Sequence, residues 1–413
     1  MANALLTPSI IAQETLMQLE NDDGNLTQKV FRGYEKEWTQ KSNGWKVGDT
    51  VTAKAPIQFR VQDGETINIV DLREEDVSMT VNYRKHIAWK FTGTEMTLKV
   101  EEFSDRFIKP AMTAFKDYIA STILGLYKYV PNQVGVPGSL PSSLYTIGEA
   151  SAVLTDHSVP KDGNRHLYLD PWASIKIADQ MKGLINNRAE TAIAKGAFNN
   201  VLGFNVYESQ NVATHICGTG AGLTTNLVDG ASSEGDATIT IDQNGSWSNT
   251  LTAGDIFKIA SVYGVNPING NSTGRLRQFC VNTAVPATGT EQAIDCTPGA
   301  APWNIYSASA AKTYLPYQTV DALPANNAAI TVDGSASLSH KVNMAFHKNA
   351  IALFMVPVQP PEGLRSETKS ANGFTITVCY GGDIWNYTSI IRLDILFGVK
   401  LTNPFMACRI AGQ

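Results

Sequence analysis

Residues 104–129 read SDRFIKPAMTAFKDYIASTILGLYKY. Phe107, Ala111, Phe115, Ile119 and Ile123 recur every four residues, with Leu126 about one turn on. That period places them on one face of a helix. At about 1.5 Å per residue the 26 residues span roughly 39 Å. Pro110 predicts a kink or a helix start at that point. Pro131 ends the helix, and Pro137 to Pro141 reads as loop.

The segment before this helix alternates. Val51, Ala53, Ala55, Ile57, Phe59 and Val61 form one face, Asp63-Gly64 a turn, and Ile67 and Ile69 the return. This predicts a long β-hairpin. Pro56, Lys54 and Arg60 mark it as a projecting ribbon and not a central strand. A two-stranded ribbon is marginal alone in water, so it needs a surface to lie on. Residues 1–40 read as an arm. Ile10, Ile11, Leu16 and Leu19 share a helical face, and Asn21-Asp22-Asp23-Gly24-Asn25 stops it.

After the helix, a strand at His166–Leu169 is followed by Asp170-Pro171, an N-cap with proline at the first helical position. The helix it opens is expected to run to about Arg188, with a second short one over Ala189–Lys195. A strand is expected at Gly203–Tyr207.

From Gly218 the composition changes. Residues 218–325 hold 12 charged side chains in 108 residues, against 59 in the other 305. Short strands bounded by turns are expected at Ala237–Ile241, Ile256–Val262, Leu276–Val281 and Ala293–Asp295. The pattern is that of a small all-β barrel or sandwich set into a mixed α+β body. The body resumes near Asn343, with strands at Ile351–Val356, Phe374–Cys379 and Ile390–Val399.

The whole chain has 413 residues, 43% hydrophobic and 17% charged, with a formal net charge of −5. It can bury a sizeable core, and the charge excludes a generally basic nucleic-acid binder. No apolar run is long enough to span a membrane, and Met1–Gln13 lacks the basic start of a secretory signal. The five cysteines are expected to be reduced, buried thiols, with no Cys-x-x-Cys spacing.

Three motifs suggest chemistry and fail on context. Gly270-x-Ser272-x-Gly274 matches a nucleophile elbow, but a strand-like run follows where a helix is required. It reads as a hairpin loop. Gly218-x-Gly220-x-Gly222 has no helix after it to hold a phosphate, and reads as a flexible domain boundary. No two of the six histidines lie at i, i+4 as a helical metal site needs. No catalytic, cofactor-binding or metal residues are predicted. On its residues the chain is a non-enzymatic structural protein.

The order of features resembles the major capsid (coat) proteins of tailed bacteriophages, in the short-tailed branch with a β-barrel domain inserted in the capsid fold. Gly48-Asp49-Thr50-Val51 with Pro56 is similar to the start of that family's extended loop. Ser104-Asp105-Arg106-Phe107-Ile108-Lys109-Pro110-Ala111 resembles the beginning of its spine helix. Gly203-Phe204-Asn205-Val206-Tyr207-Glu208-Ser209 with Asn211-Val212 looks like the strand before the insertion. Gly254-Asp255-Ile256-Phe257 with Val262, Asn266-Pro267 and Ser272-Thr273-Gly274 is similar to the inserted barrel. Met344-Ala345-Phe346-His347-Lys348-Asn349-Ala350 and Arg392-Leu393-Asp394 with Gly398 read like the final strands.

The resemblance implies an α+β fold of the Hong Kong type. The capsid body would come in two stretches, 1–217 and 326–413, with the inserted β-barrel domain at 218–325 between them. The first stretch would hold an N-arm at 1–40, an extended loop at about 44–75 and the spine helix at about 104–129. The resemblance also implies copies joined into pentamers and hexamers of an icosahedral head, with arm and ribbon laid across neighbours. Further implied partners are a separate scaffolding protein, a portal protein and the enclosed double-stranded DNA, bound without sequence specificity; no membrane is implied. The location would be the virion, assembled in the host cytoplasm. The competing reading is a surface or carbohydrate-binding protein whose β segment, with Trp247 and Trp303, is the working domain.

Overall fold

Residues 104–129 are helical from end to end, in three windings. Ser104–Ile108 is a wide π turn, closed by the Lys109 N–H donating to the Ser104 carbonyl. An α-helix over Lys109–Leu124 and a tight 3-10 turn over Gly125–Tyr129 follow. Pro110, which has no N–H to give, sits just after the π turn, where the change of winding absorbs the missing bond. Ala111, Phe115, Ile119 and Ile123 are all buried, as their period requires.

The computed structural model describes residues 8–20, 26–34, 45–54, 57–61, 76–92, 103–141, 143–181, 200–223, 225–243, 247–296, 303–310, 314–360, 363–371, 374–383 and 388–413. In chain order, α1 is Pro8–Glu20, β1 Thr50–Lys54, β2 Asp76–Thr80, β3 Tyr83–Thr92 and α2 Lys109–Leu124. Next come β4 (Gln133–Val134), α3 (Leu144–Asp156), β5 (Arg165–Leu169), α4 (Pro171–Met181), β6 (Asn200–Val201), β7 (Phe204–Glu208) and β8 (Ala213–Ile216). A β-rich stretch follows, with β9 (Asn226–Val228), β10 (Thr238–Asp242), β11 (Ile256–Val265), β12 (Ser272–Cys280), β13 (Glu291–Asp295) and β14 (Ala329–Val332). The chain ends with β15 (Ser339–His347), β16 (Ile351–Met355), β17 (Arg365–Ala371), β18 (Phe374–Asp383), β19 (Thr388–Leu401) and β20 (Ala407–Ala411).

The chain divides into two compact units. One comprises 1–53, 77–123 and 351–400, the other 54–76, 124–350 and 401–413. The first holds a five-stranded sheet in the order β16-β19-β18-β17, with β3 also paired to β19. Helix α1 packs on β17 and β18 through the buried Ile11, Ala12 and Leu16. Within the chain, residues 8–20 form a helix seated on its own sheet. Their apolar stripe is wide enough to seat on the chain's own sheet. At the base of the predicted ribbon, Ala53, Met79 and Val81 pack against Phe354, Val356 and Leu396. The ribbon's turn at Asp63-Gly64 and its return strand lie outside the described residues.

The second unit holds two sheets. The seven-stranded one runs β4-β20-β15-β5-β7-β6, with β8 also on β15. Leu167, Leu169, Phe204, Val206, Ala345, Cys408 and Ile410 from its strands meet Ile147, Ala150 and Leu154 of α3 in one core. Asp170 opens α4 as expected, its Oδ2 accepting from the Trp172 N–H at 3.1 Å. That helix is described to Met181; the residues expected to carry it further, and the short helix after it, lie outside the described residues. Strands β6 and β7 are joined by Leu202 and Gly203, both at positive φ (49° and 89°). This is the two-residue turn that matches strand twist, and glycine suits its second position.

The six-stranded sheet runs β12-β11-β14-β9-β10-β13. Ile239, Ile241, Phe257, Ile259, Phe279, Ile294, Ile330 and Val332 form its core. All four predicted strands are present with shifted ends. Strand β14 pairs with β11 at Phe257↔Val332, so the sheet extends beyond the expected boundary at 325. Helix α3 has no counterpart among the elements expected from sequence.

Candidate functional site

Strands β8 and β15 lie side by side, from Ser339↔Ile216 to Val342↔Ala213. The chain therefore leaves the seven-stranded sheet at Ile216 and returns to it at Ser339, and the six-stranded sheet is built in between. Along β8 the side chains alternate. His215 and, two residues on, Cys217 point inward while Ile216 is exposed. The register sets His340 directly across from His215, ring centroids 5.4 Å apart and nearly perpendicular.

Asp255, in the turn before β11, closes this junction. Its Oδ2 accepts from the Gly218 N–H at 3.0 Å and the Thr252 N–H at 2.7 Å. Its Oδ1 lies 2.9 Å from His215 Nε2, and His215 Nδ1 lies 3.2 Å from the Tyr127 hydroxyl. Arg409, fully buried on β20, donates to the Gly254 carbonyl at 2.6 Å and to Cys280 Sγ at 3.4 Å. Burial holds the Tyr127 hydroxyl up at about 12 and the Cys217 and Cys280 thiols at about 11. Burial, then the neighbouring His215, pushes His340 down to about 4. These thiols are inert and this imidazole is neutral near pH 7.

Sequence spacing offers no reason to join these residues, because they come from six separated segments. The donor atoms of His215, Cys217 and Asp255 all lie within 4.8 Å of one another, close enough for a metal ion. Yet both Asp255 oxygens and both His215 nitrogens are already engaged by protein groups. The cluster works as a closed polar network that pins the exit and return of the β-rich stretch.

The glycine motif lies here and is not a loose boundary. A Cβ on Gly218 would overlap the Thr250 carbonyl and sit 2.7 Å from Leu251 Cα, so only glycine permits the approach. Gly270 lies in the β11–β12 turn and Gly274 within β12, so Ser272, expected in the hairpin loop, already begins the second strand. Trp247 is buried and donates to the Pro286 carbonyl at 2.9 Å, while Trp303 packs edge-on against Phe405 at 5.1 Å. Neither is a sugar-stacking platform. All five cysteines are free and buried.

A second feature concerns association. Over 57–61 Arg60 faces the protein while Phe59 and Val61 face out. Arg60 donates to Gln318 Oε1 at 2.9 Å and to the Asn269 carbonyl at 2.7 Å, while Phe59 and Val61 are 72% and 89% exposed. This inverts the usual arrangement and leaves an apolar edge in water.

A third lies around His157, whose Nε2 is 3.2 Å from Asn132 Oδ1 and whose ring stacks on Phe405 at 5.1 Å. Burial, and then the charge of Arg277, pushes it down to about 3. The unfolded chain takes up this proton near pH 6.5, the folded chain only near 3. Stability therefore falls as pH drops through that window and levels off below it. A His157→Gln chain is expected to show a shallower loss between pH 6 and 4, by about 1.4 kcal/mol per pH unit at most. Urea titrations at several pH values measure it, and equal slopes would refute it.

The family profile described as "P22 coat protein - gene protein 5" matches residues 11–412. The chain belongs to the P22 coat protein family. It is a tailed-phage major capsid protein, a structural component of the virion that associates with its own copies into the shell. It is similar to the "Major capsid protein" of Acyrthosiphon pisum secondary endosymbiont phage 1, 23% identical over 390 residues and 89% of each chain. Among solved structures it is similar to the capsid of Ralstonia phage GP4 (10% identity, 95% of this chain and 91% of that one, TM-score 0.45). It is also similar to the CUS-3 coat protein I-domain (28% identity, 27% of this chain and 96% of that one, TM-score 0.20). The assignment rests on the family match. The carbohydrate-binding reading finds no support in it, and among the described residues no helix is long and apolar enough to cross a membrane.

Proposed function

We propose that this chain is the shell subunit of an icosahedral head enclosing double-stranded DNA, built as pentamers and hexamers with a separate scaffolding protein and a portal protein in the host cytoplasm. The observation that carries this is the family match, which runs almost end to end over residues 11–412. The net charge of −5 supports a wall that encloses DNA without gripping it. Electron microscopy of the chain expressed with its scaffolding protein is expected to show closed shells. A chain that stays monomeric at every concentration would count against the proposal.

The β-rich stretch is an inserted domain on this reading. The support is its own core and the paired exit and return strands β8 and β15. The span between them, 217–338, is the fragment expected to fold alone, with a cooperative melt as the check.

The outward face of 57–61 is the portion of the ribbon that another copy covers. Phe59→Asp is expected to leave subunit melting within about 1 °C of wild type, because Phe59 is exposed. It is expected to cut the yield of closed shells at least tenfold, since a charge would be buried at each contact. Sucrose-gradient sedimentation measures the yield; wild-type yield would remove this face from the interface.

A further inference from the structure

Arg277, on β12, is only 7% exposed. Its Nε is buried and has no hydrogen-bond partner. Among the described residues no carboxylate pairs with it and no acceptor meets its guanidinium. Its one close partner is a ring, Phe405, whose centroid lies 4.2 Å from Cζ, with Phe279 at 5.8 Å. Burial accordingly holds its pKa down at about 10. The other fully buried arginines differ. Arg165 donates to several carbonyl and hydroxyl oxygens, and Arg409, whose Nε is also unpartnered, still gives its terminal nitrogens to the Gly254 carbonyl and Cys280 Sγ. A buried guanidinium whose Nε has no acceptor, and whose remaining N–H groups meet only a cavity, is unfavourable unless an acceptor enters that cavity.

The space for that acceptor is present. Arg277 lines a cavity of about 590 Å³ together with Asn132, Lys258, Arg275 and Gln278. It also lines a smaller one of about 110 Å³ with Gln318 and Thr319. The walls of the larger cavity are fixed by a clasp. The Gln278 side-chain amide receives the Gln133 N–H at 2.7 Å and donates to the Gln133 carbonyl at 2.8 Å, as a paired strand would. These two residues lie on β12 and β4, which end their respective sheets.

We propose that Arg277 is the receptor for a single carboxylate, held two-pronged on the guanidinium and entering through the larger cavity. The planar fork of donors matches a carboxylate, and the Phe405 ring backs the guanidinium plane. Glu149 and Asp156 line the same cavity and repel a multiply charged phosphate, whereas one negative charge at Arg277 is tolerated. Lys258 is committed to Asp333 at 2.9 Å and does not compete for the ligand. The carboxylate has two possible sources, a small free anion or an acidic side chain of a second copy in the shell.

The test uses the full chain with acetate as probe, and the assembled shell. Melting is followed in sodium acetate against sodium chloride at equal ionic strength and pH 7, for wild type, Arg277→Lys and Arg277→Met. Arg277→Met replaces the unpaired charge by an apolar chain of similar length, and is expected to fold. Raising acetate to about 100 mM is expected to lift the wild-type midpoint by ~2 °C more than that of Arg277→Met. Arg277→Lys, which lacks the fork, is expected to respond less than wild type. If all three respond alike, a map of the shell decides. An acidic side chain of another copy on Arg277 supports the proposal with the second source. A guanidinium that meets only water there, with no acetate difference, overturns it.

Discussion

Replacing Asp255 by alanine is expected to lower the stability of the folded chain by about 4 kcal/mol, an unusually large loss for one side chain. The Gly218 and Thr252 N–H groups and His215 Nε2 all end on this carboxylate, which is 1% exposed. Each orphaned buried group costs about 1–3 kcal/mol. Asp255→Asn keeps one acceptor oxygen and is expected to cost about half as much. Urea unfolding gives both values. A loss under about 1 kcal/mol for the alanine variant would mean that the junction is not held by this network. Because the junction pins the exit and return strands, closed-shell yield is expected to fall with stability.

The contrast between what was legible in the sequence and what was not follows from the range of each interaction. The helix over 104–129 was legible because its signal is local, a four-residue apolar period ended by proline. The Asp170-Pro171 start is local for the same reason. Helix α3 was missed although Ser143 precedes it and Ile147, Ala150 and Leu154 are spaced to share a face. Gly148 interrupts that run, and two prolines just before it favoured loop. The end of the β-rich stretch was placed early because composition returns to average before the last strand does. Strand β14 belongs to the sheet through its pairing with β11 and β9, and pairing has no local sequence mark. The His215–Asp255 junction was illegible for the same reason. Its members stand 40 residues apart and meet only through the fold. Arm and ribbon carried a mixed signal. Apolar residues that need a surface can be read from sequence, but which surface they find cannot. For α1 it is the chain's own sheet, and for Phe59 and Val61 none among the described residues.

The second large effect is expected at Arg165, which is fully buried on β5. Its guanidinium reaches the loop that leaves α3, donating to the Pro160 carbonyl at 3.0 Å and to the Val159 carbonyl. It also reaches back to the Ser151 carbonyl at 3.2 Å and to the Thr155 hydroxyl. A cation there also opposes the partial negative charge at the helix C-terminus. One side chain thus satisfies the loop carbonyls that the end of α3 leaves open. Arg165→Met keeps much of the volume and removes every donor, so two or more carbonyls lose their only buried partner. The expected loss is about 3 kcal/mol. Arg165→Lys keeps the charge but cannot span the same acceptors, and is expected to recover less than half of it. Hydrogen exchange separates this effect from general destabilisation. Amides of 150–160 are expected to lose protection first and most, while those of β17 and β18, in the other unit, stay near wild type. If protection over 150–160 were unchanged in Arg165→Met, the C-terminus of α3 would be held by its apolar face alone, through Ile147, Ala150 and Leu154.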